Sequence, residues 1–287
     1  LYTKDNVMLS ATHTHSGPGG YSGYTIYDLA VLGFDKQNHA AIIDGIFQSI
    51  VKAHDNMDYG VIKVNQGDLT NAGMQRSSTA YEQNSDKGNY SSDTDTLMTL
   101  LRLERLNGDE IGLINWFAVH TTSIGNTNKL ISGDHKGYAS YLFEKTKGTD
   151  YLADETFIAA FAQSNAGDVS PNLWGHPDGV NDYSRMETIG QRQFDKAEGL
   201  YYGASELVSG SIDYRHAYID FSKNGDVYNS GRACVSAIGM SKLAGSTEDG
   251  VGIDIFTEGL VYGDNWPSIT LVPEDQDCHE EKAILLP

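Results

Sequence analysis

Three short stretches of the chain carry residue types that can do chemistry. The first is Thr12-His13-Thr14-His15-Ser16-Gly17-Pro18-Gly19-Gly20, a His-x-His pair followed by a turn rich in glycine and proline. If a strand leads into it, the side-chain period of two sends both imidazoles to one side. Two imidazoles on one side are a common beginning of a zinc site, and the glycines let a substrate approach the backbone closely. The same pattern also occurs as a loop with two hydrogen-bonded histidines. The second stretch is His120, after the apolar Trp116-Phe117-Ala118-Val119 and before Thr121-Thr122-Ser123. An isolated histidine in that setting is more often a satisfied core residue than a ligand. The third is Gly167-Asp168-Val169-Ser170-Pro171-Asn172, which sets Ser170 in a turn after an apolar run. It lacks the Gly-x-Ser-x-Gly pattern of a nucleophile elbow, and a segment of this composition is by default only a turn.

These residues need elements to position them. Asn6 to Thr12 reads as a buried strand running into His13. Thr96 to Leu106 and Ile111 to Val119 read as a hairpin, with His120 directly after its second arm. Asn107-Gly108 between the arms suits the positive φ angles of a type I′ turn. Phe157 to Ala162 is a further strand leading to the Ser170 turn. Gly60 to Val64 is a short strand, and Ile212 to Phe221 alternates like an exposed one. Asn38 to His54 is a helix with Ala41, Ile42, Ile46, Phe47, Ile50 and Val51 on one face, and Met186 to Leu207 is another. Interspersed strands and helices predict an α/β (α+β) fold of mixed β-sheets flanked by helices. The candidate site then lies at strand ends, where the sheet fixes a side chain's origin and the loop leaves it accessible. No domain boundary stands out, so residues 1–287 read as part of a single domain.

Composition narrows the function classes. An apolar fraction of 39% and 17 tyrosines suit a chain with a sizeable core. Lys+Arg number 20 against 39 Asp+Glu, a formal net charge of −19, which argues against a nucleic-acid partner and against electrostatic adhesion to anionic lipid. No apolar run is long enough to cross a bilayer. Both ends, Leu1-Tyr2-Thr3 and Ile284-Leu285-Leu286-Pro287, read like cuts through a longer protein. Cys234 and Cys278 are either two separate thiols or one bridge.

The segment from Asn6 to Pro18 resembles a signature of the neutral/alkaline ceramidase family, and Asn165 to Asn172 resembles the segment holding that family's catalytic serine. Trp116 to Ser123, Gly137-Tyr138-Ala139-Ser140 and Ala244 to Gly250 are similar to further blocks, in the family's order and over nearly the whole chain. The resemblance implies zinc-dependent hydrolysis of the amide bond of ceramide to sphingosine and free fatty acid. It implies His13 and His120 as zinc (Zn2+) ligands. His15 is expected beside the metal, against the substrate's polar head or the developing oxyanion. Ser170 is expected to be catalytic, with its hydroxyl open to the cavity of His13. Arg76, in Asn71-Ala72-Gly73-Met74-Gln75-Arg76-Ser77, matches an active-site arginine, although the segment departs from the family's Asn-Arg-Ser pattern. The resemblance further places two more zinc ligands, a glutamate and a tyrosine, in a missing C-terminal part of the same protein. It implies a Cys234–Cys278 disulfide, a secreted or cell-surface location, and peripheral membrane contact. Two other functions stay open: another zinc amidase acting on N-acyl amino acids, and a non-catalytic lipid-binding module. His39, His54, His135, His176, His216 and His279 match no site and read as surface or structural.

Overall fold

The computed structural model of the chain describes residues 2–28, 31–224, 226–227, 231–246, 249–253, 256, 258, 261–263, 276–279 and 282–286. The chain divides into two compact units, one of residues 10–74 and 94–210, the other of residues 1–9, 75–93 and 211–287.

The first unit is built on a five-stranded sheet of β1 (Gly60–Asp68), β2 (Leu97–Arg105), β3 (Glu110–Phe117), β4 (Ile158–Gln163) and β5 (Glu206–Leu207). Their order is β4-β3-β2-β1-β5. β3 and β4 run parallel while the other neighbours are antiparallel, so the sheet is mixed as expected. Three long helices belong to this unit, α1 (Lys36–Asp55), α2 (Asp134–Lys147) and α3 (Asp182–Gly203).

Alternation along the strands builds the core. Met98 and Leu100 of β2, Leu113 and Phe117 of β3, and Ala159 and Phe161 of β4 are buried at every second position. They cluster with Ala139 and Phe143 of α2 and with Ile189, Phe194, Ala197 and Tyr201 of α3. The Phe143 ring stacks on Phe157 at 5.7 Å and meets Phe194 edge-on at 5.6 Å, the arrangements that the aromatic quadrupole favours. The parallel link from β3 through α2 to β4 brings the ends of β3 and β4 and the start of α2 together, and this corner carries the candidate site.

Several expectations need correction. The β2–β3 hairpin forms, but its turn is not type I′. Gly108 has φ 91° while Asn107 keeps a negative φ, and the Gly108 N–H donates to Arg105 O at 2.9 Å. Asn107 Oδ1 accepts the Asp109 N–H at 3.1 Å, and this local turn carries one residue more than a tight hairpin allows. The surplus emerges as a register shift at Leu103/Glu104. Residues 7–12 form no strand. The Thr12 carbonyl accepts from side chains, Thr121 Oγ1 at 2.6 Å and Gln163 Nε2 at 3.4 Å, where a ladder would supply backbone N–H groups. Nearby, an isolated parallel bridge links Thr14 to Thr121. Residues 212–220 are likewise no strand, with Ile212, Tyr214 and Tyr218 exposed. Among the described residues no strand pairs with them, and alternating polarity alone does not make a strand. Leu207 lies in β5 rather than at the end of α3.

The second unit carries the predicted Cys234–Cys278 disulfide, with Cα atoms 5.8 Å apart. Near it, Ile238–Gly239 pairs antiparallel with Ile284–Leu286, and Met240, Phe256 and Ala283 form a small core. Among the described residues no helix is long and apolar enough to cross a membrane.

Candidate metal centre and active site

His13, His15 and His120 converge. Their ring centroids lie 4.7 Å (His13–His15), 4.8 Å (His13–His120) and 6.0 Å (His15–His120) apart. One nitrogen from each lies within 4.8 Å of the other two. Among the described residues no other group of three or more His, Cys, Asp or Glu side chains is close enough to hold an ion.

His13 and His15 do not share a side because of strand periodicity, since no strand precedes them. Instead His13 adopts φ 65°, a left-handed conformation uncommon outside glycine, and this turn folds the two rings together. The loop is then laid along the end of β3: the His15 N–H donates to Thr121 O at 3.3 Å. Past the loop, Gly20 has φ 77°, and a Cβ there would stand 2.8 Å from Gly33 O, so only glycine fits.

His120 is buried, whereas His13 and His15 are exposed. Its backbone N–H donates to Val169 O at 2.9 Å, and its Nδ1 faces the same oxygen at 3.2 Å. A carbonyl only accepts, so Nδ1 carries the proton and Nε2 the lone pair. With Nδ1 given to the carbonyl, Nε2 is the ring nitrogen that would meet a metal. Val169 sits close because residue 73 is glycine: a Cβ at Gly73 would come within 2.6 Å of Val169 Cγ1.

Ser170 follows Val169, so the candidate serine adjoins the residue that orients His120. Its side chain is not accessible as expected: Ser170 is fully buried, and its Oγ accepts the Asn172 N–H at 3.1 Å. Val169–Ser170 is a two-residue strand, and the Ser170 side chain is turned inside. Arg76 belongs to the other unit. There its Nε pairs with Asp249 Oδ2 at 3.0 Å, and Ser246 Oγ donates to Arg76 O. Two separate sequence blocks, around Arg76 and from Ala244 to Gly250, therefore meet.

Sequence reasoning missed the first turn of α2. His135, read as surface or structural, is fully buried. Its Nε2–H donates to His120 O at 2.8 Å while its Nδ1 accepts from Gln193 Nε2 at 2.8 Å. Burial, helped by the adjacent Lys136 charge, pulls its pKa down to about 3, so the ring is neutral. Lys136, also fully buried, donates from Nζ to Phe117 O at 2.9 Å and Ala162 O at 3.0 Å. Burial lowers its pKa to about 7. Asp134 is 1% exposed and accepts from Ile124 N at 3.0 Å and His135 N at 2.6 Å. Burial pushes its carboxyl up. Three consecutive ionisable residues at a helix start normally mark a solvated end, which is why they carried no signal.

The donor set suits zinc: three imidazoles, one of them held in the metal-binding tautomer by a carbonyl. The arrangement can hold a cation and present a hydrogen-bond donor beside it.

Comparison with known proteins follows the same lines. Residues 1–287 match the family described as neutral/alkaline non-lysosomal ceramidase, N-terminal. The chain is 42% identical over 331 residues to neutral ceramidase A of Dictyostelium discoideum, covering 100% of this chain and 46% of that protein. It is 41% identical over 301 residues to the neutral ceramidase of Pseudomonas aeruginosa, covering 99% and 44%. Among solved structures, a ceramidase complexed with C2 superimposes with a TM-score of 0.84 at 40% identity, over 100% of this chain and 46% of that one. The crystal structure of the Pseudomonas aeruginosa neutral ceramidase gives 0.80 at 36% identity, over 100% and 44%. The chain spans about half the length of the curated relatives it matches.

Proposed function

The chain belongs to the neutral/alkaline non-lysosomal ceramidase family, and on that premise we propose that the protein containing it hydrolyses the amide bond of ceramide with zinc at the three-histidine cluster. The products are sphingosine and a free fatty acid. The observation that carries this proposal is the convergence of His13, His15 and His120, two of them on one loop and the third at a distant strand end.

In this reading His13 and His120 hold the ion. When bound, it polarises the amide carbonyl and supplies hydroxide near neutral pH. His15 donates a hydrogen bond to the oxygen on which negative charge accumulates. Ser170, buried in this structure, is retained as the catalytic serine on sequence resemblance. The Asn172 N–H at its oxygen stabilises negative charge there and so favours loss of the hydroxyl proton. Arg76 is retained as an active-site residue on sequence resemblance alone. Further ligands, a glutamate and a tyrosine, come from the rest of the protein. The disulfide fits an oxidising compartment, so we place the protein outside the cytosol, in peripheral contact with the membrane that holds its substrate.

The test is zinc content and fatty-acid release from ceramide, measured on the intact protein and its His120→Ala variant. The expected outcome is stoichiometric zinc in the parent, loss of zinc in the variant, and a fall in turnover of roughly 1000-fold, the scale of losing a principal charge-stabilising group. Full turnover without zinc would overturn the mechanism. Turnover of N-acyl amino acids in preference to ceramide would overturn the substrate.

A further inference from the structure

We propose that the segment Ser132–Lys136 is the positioning element of the three-histidine cluster, clamping both chain segments that carry the histidines. The inference rests on the metal-site assignment made above and adds residues that contact neither metal nor substrate.

The clamp has two jaws. Towards the loop, Thr14 Oγ1 donates to Ser132 O at 2.7 Å and the Ser132 N–H donates to Ser16 O at 3.0 Å. These bonds bracket His15, and Thr14 lies directly between the two histidines. Towards the strand end, the bonds run in antiparallel correspondence. Lys136 Nζ takes Phe117 O, His135 Nε2 takes His120 O, and the Asp134 carboxylate takes the Ile124 N–H. The stretch 117–124 is thus held before, at and after its ligand.

The jaws are joined rigidly. Ser132 Oγ accepts the Asp134 N–H at 3.0 Å, and Asp134 is held at φ 51°. Together with His13, it is one of three described non-glycine residues with positive φ. Backbone conformations of this kind persist where surrounding contacts over-determine them. The back of the clamp is sealed by α3. A Cβ at Gly190 would stand 2.8 Å from His135 O, so the missing side chain lets α3 descend onto His135. One turn further, Gln193 reaches His135 Nδ1 and leaves Nε2–H pointing at His120 O.

His13 and His15 are exposed. Ordering such side chains around an ion costs conformational entropy at binding. Hydrogen bonds made during folding move that cost to the folding step, so metal affinity depends on groups that never touch the metal.

The test measures zinc affinity of the intact protein by competition with a chromogenic chelator, well below its unfolding temperature. His135→Leu removes the donor to His120 O, while His135→Gln keeps an N–H at the equivalent reach. The expected result is a loss of about 10- to 100-fold for His135→Leu and near-parental affinity for His135→Gln. A role confined to stability would lower the melting temperature without this split. Should His135→Leu fail to fold, Thr14→Val tests the other jaw, with an expected loss of about 3- to 10-fold. Parental affinity in a folded His135→Leu protein, or in Thr14→Val, overturns the inference. An intact parent that takes up no zinc overturns the metal-site assignment first, an outcome plainly different from unchanged affinity in the variants.

Discussion

The helices α1 and α2 of the same unit reverse the usual relation between pattern and burial. α1 has the more regular amphipathic sequence, with Ile42, Ile46 and Ile50 along one face, yet none of its residues is buried and Phe47 is 59% exposed. α2 opens on Asp134, His135 and Lys136, each no more than 1% exposed. An apolar stripe reports that a helix forms, and says little about what covers it. Polar groups buried at a helix start are expensive unless each has a partner, so a start built from three of them has been placed there by the structure it holds. α1 begins on the Asp35 cap, which accepts from Gln37 N and Asn38 N at 2.8 and 2.9 Å. α2 is stabilised by, and stabilises, the corner where the histidines meet.

This contrast breaks if substitutions on the two helices cost the same. The largest effect is expected at Lys136. Lys136→Met leaves two buried carbonyls without their donor and should lower unfolding free energy by about 1.5–3 kcal/mol, measured by urea denaturation. The pH dependence has a definite sign. Burial lowers the folded-state pKa from 10.5 to about 7, so between those values the unfolded chain holds a proton that the folded one does not. Stability from this group therefore rises with pH across that window, and the penalty is fully present below about pH 7. The neutral amine still has hydrogens for both carbonyls. The stability gap between parent and Lys136→Met should widen in the parent's favour from pH 7 towards pH 10, and a flat gap would count against a lysine kept from protonation by burial.

A smaller effect is expected at the cap of α1. Asp35→Ala removes the side-chain acceptor for two first-turn N–H groups and should cost about 1 kcal/mol, read from the same denaturation curves. If it costs more than Lys136→Met, the helices have been ranked wrongly. The smallest effect is expected at Phe47, where Phe47→Ser on the exposed face of α1 should stay within about 0.5 kcal/mol in this chain. A loss of several kcal/mol would mean that the face is covered in the protein.

Part of this was legible in the residues alone, and the division is physical. Elements held by local or periodic interactions could be read directly. The helix at Lys36–Asp55 follows its 3.6-residue apolar spacing, and the β2–β3 hairpin follows two alternating runs about an Asn-Gly turn. The mixed sheet with helices follows from their alternation. The turn conformation was missed because an Asx bond at Asn107 outcompeted the dipeptide's type I′ preference. The strand expected at residues 6–12 does not form, because side chains take the bonds that a ladder would need.

By itself, then, the sequence named the candidates: His13, His15, His120 and Ser170 were singled out by type, spacing and resemblance. Only the tertiary structure decided that the three histidines converge, that Ser170 is buried, and that Asp134, His135 and Lys136 lie inside rather than in water. Spacing along a chain reports on neighbours within a turn or a strand. Convergence of His15 with His120, and the burial of a charged helix start, depend on how distant segments close on each other, and that is set by the packing of α2 and α3 against the sheet.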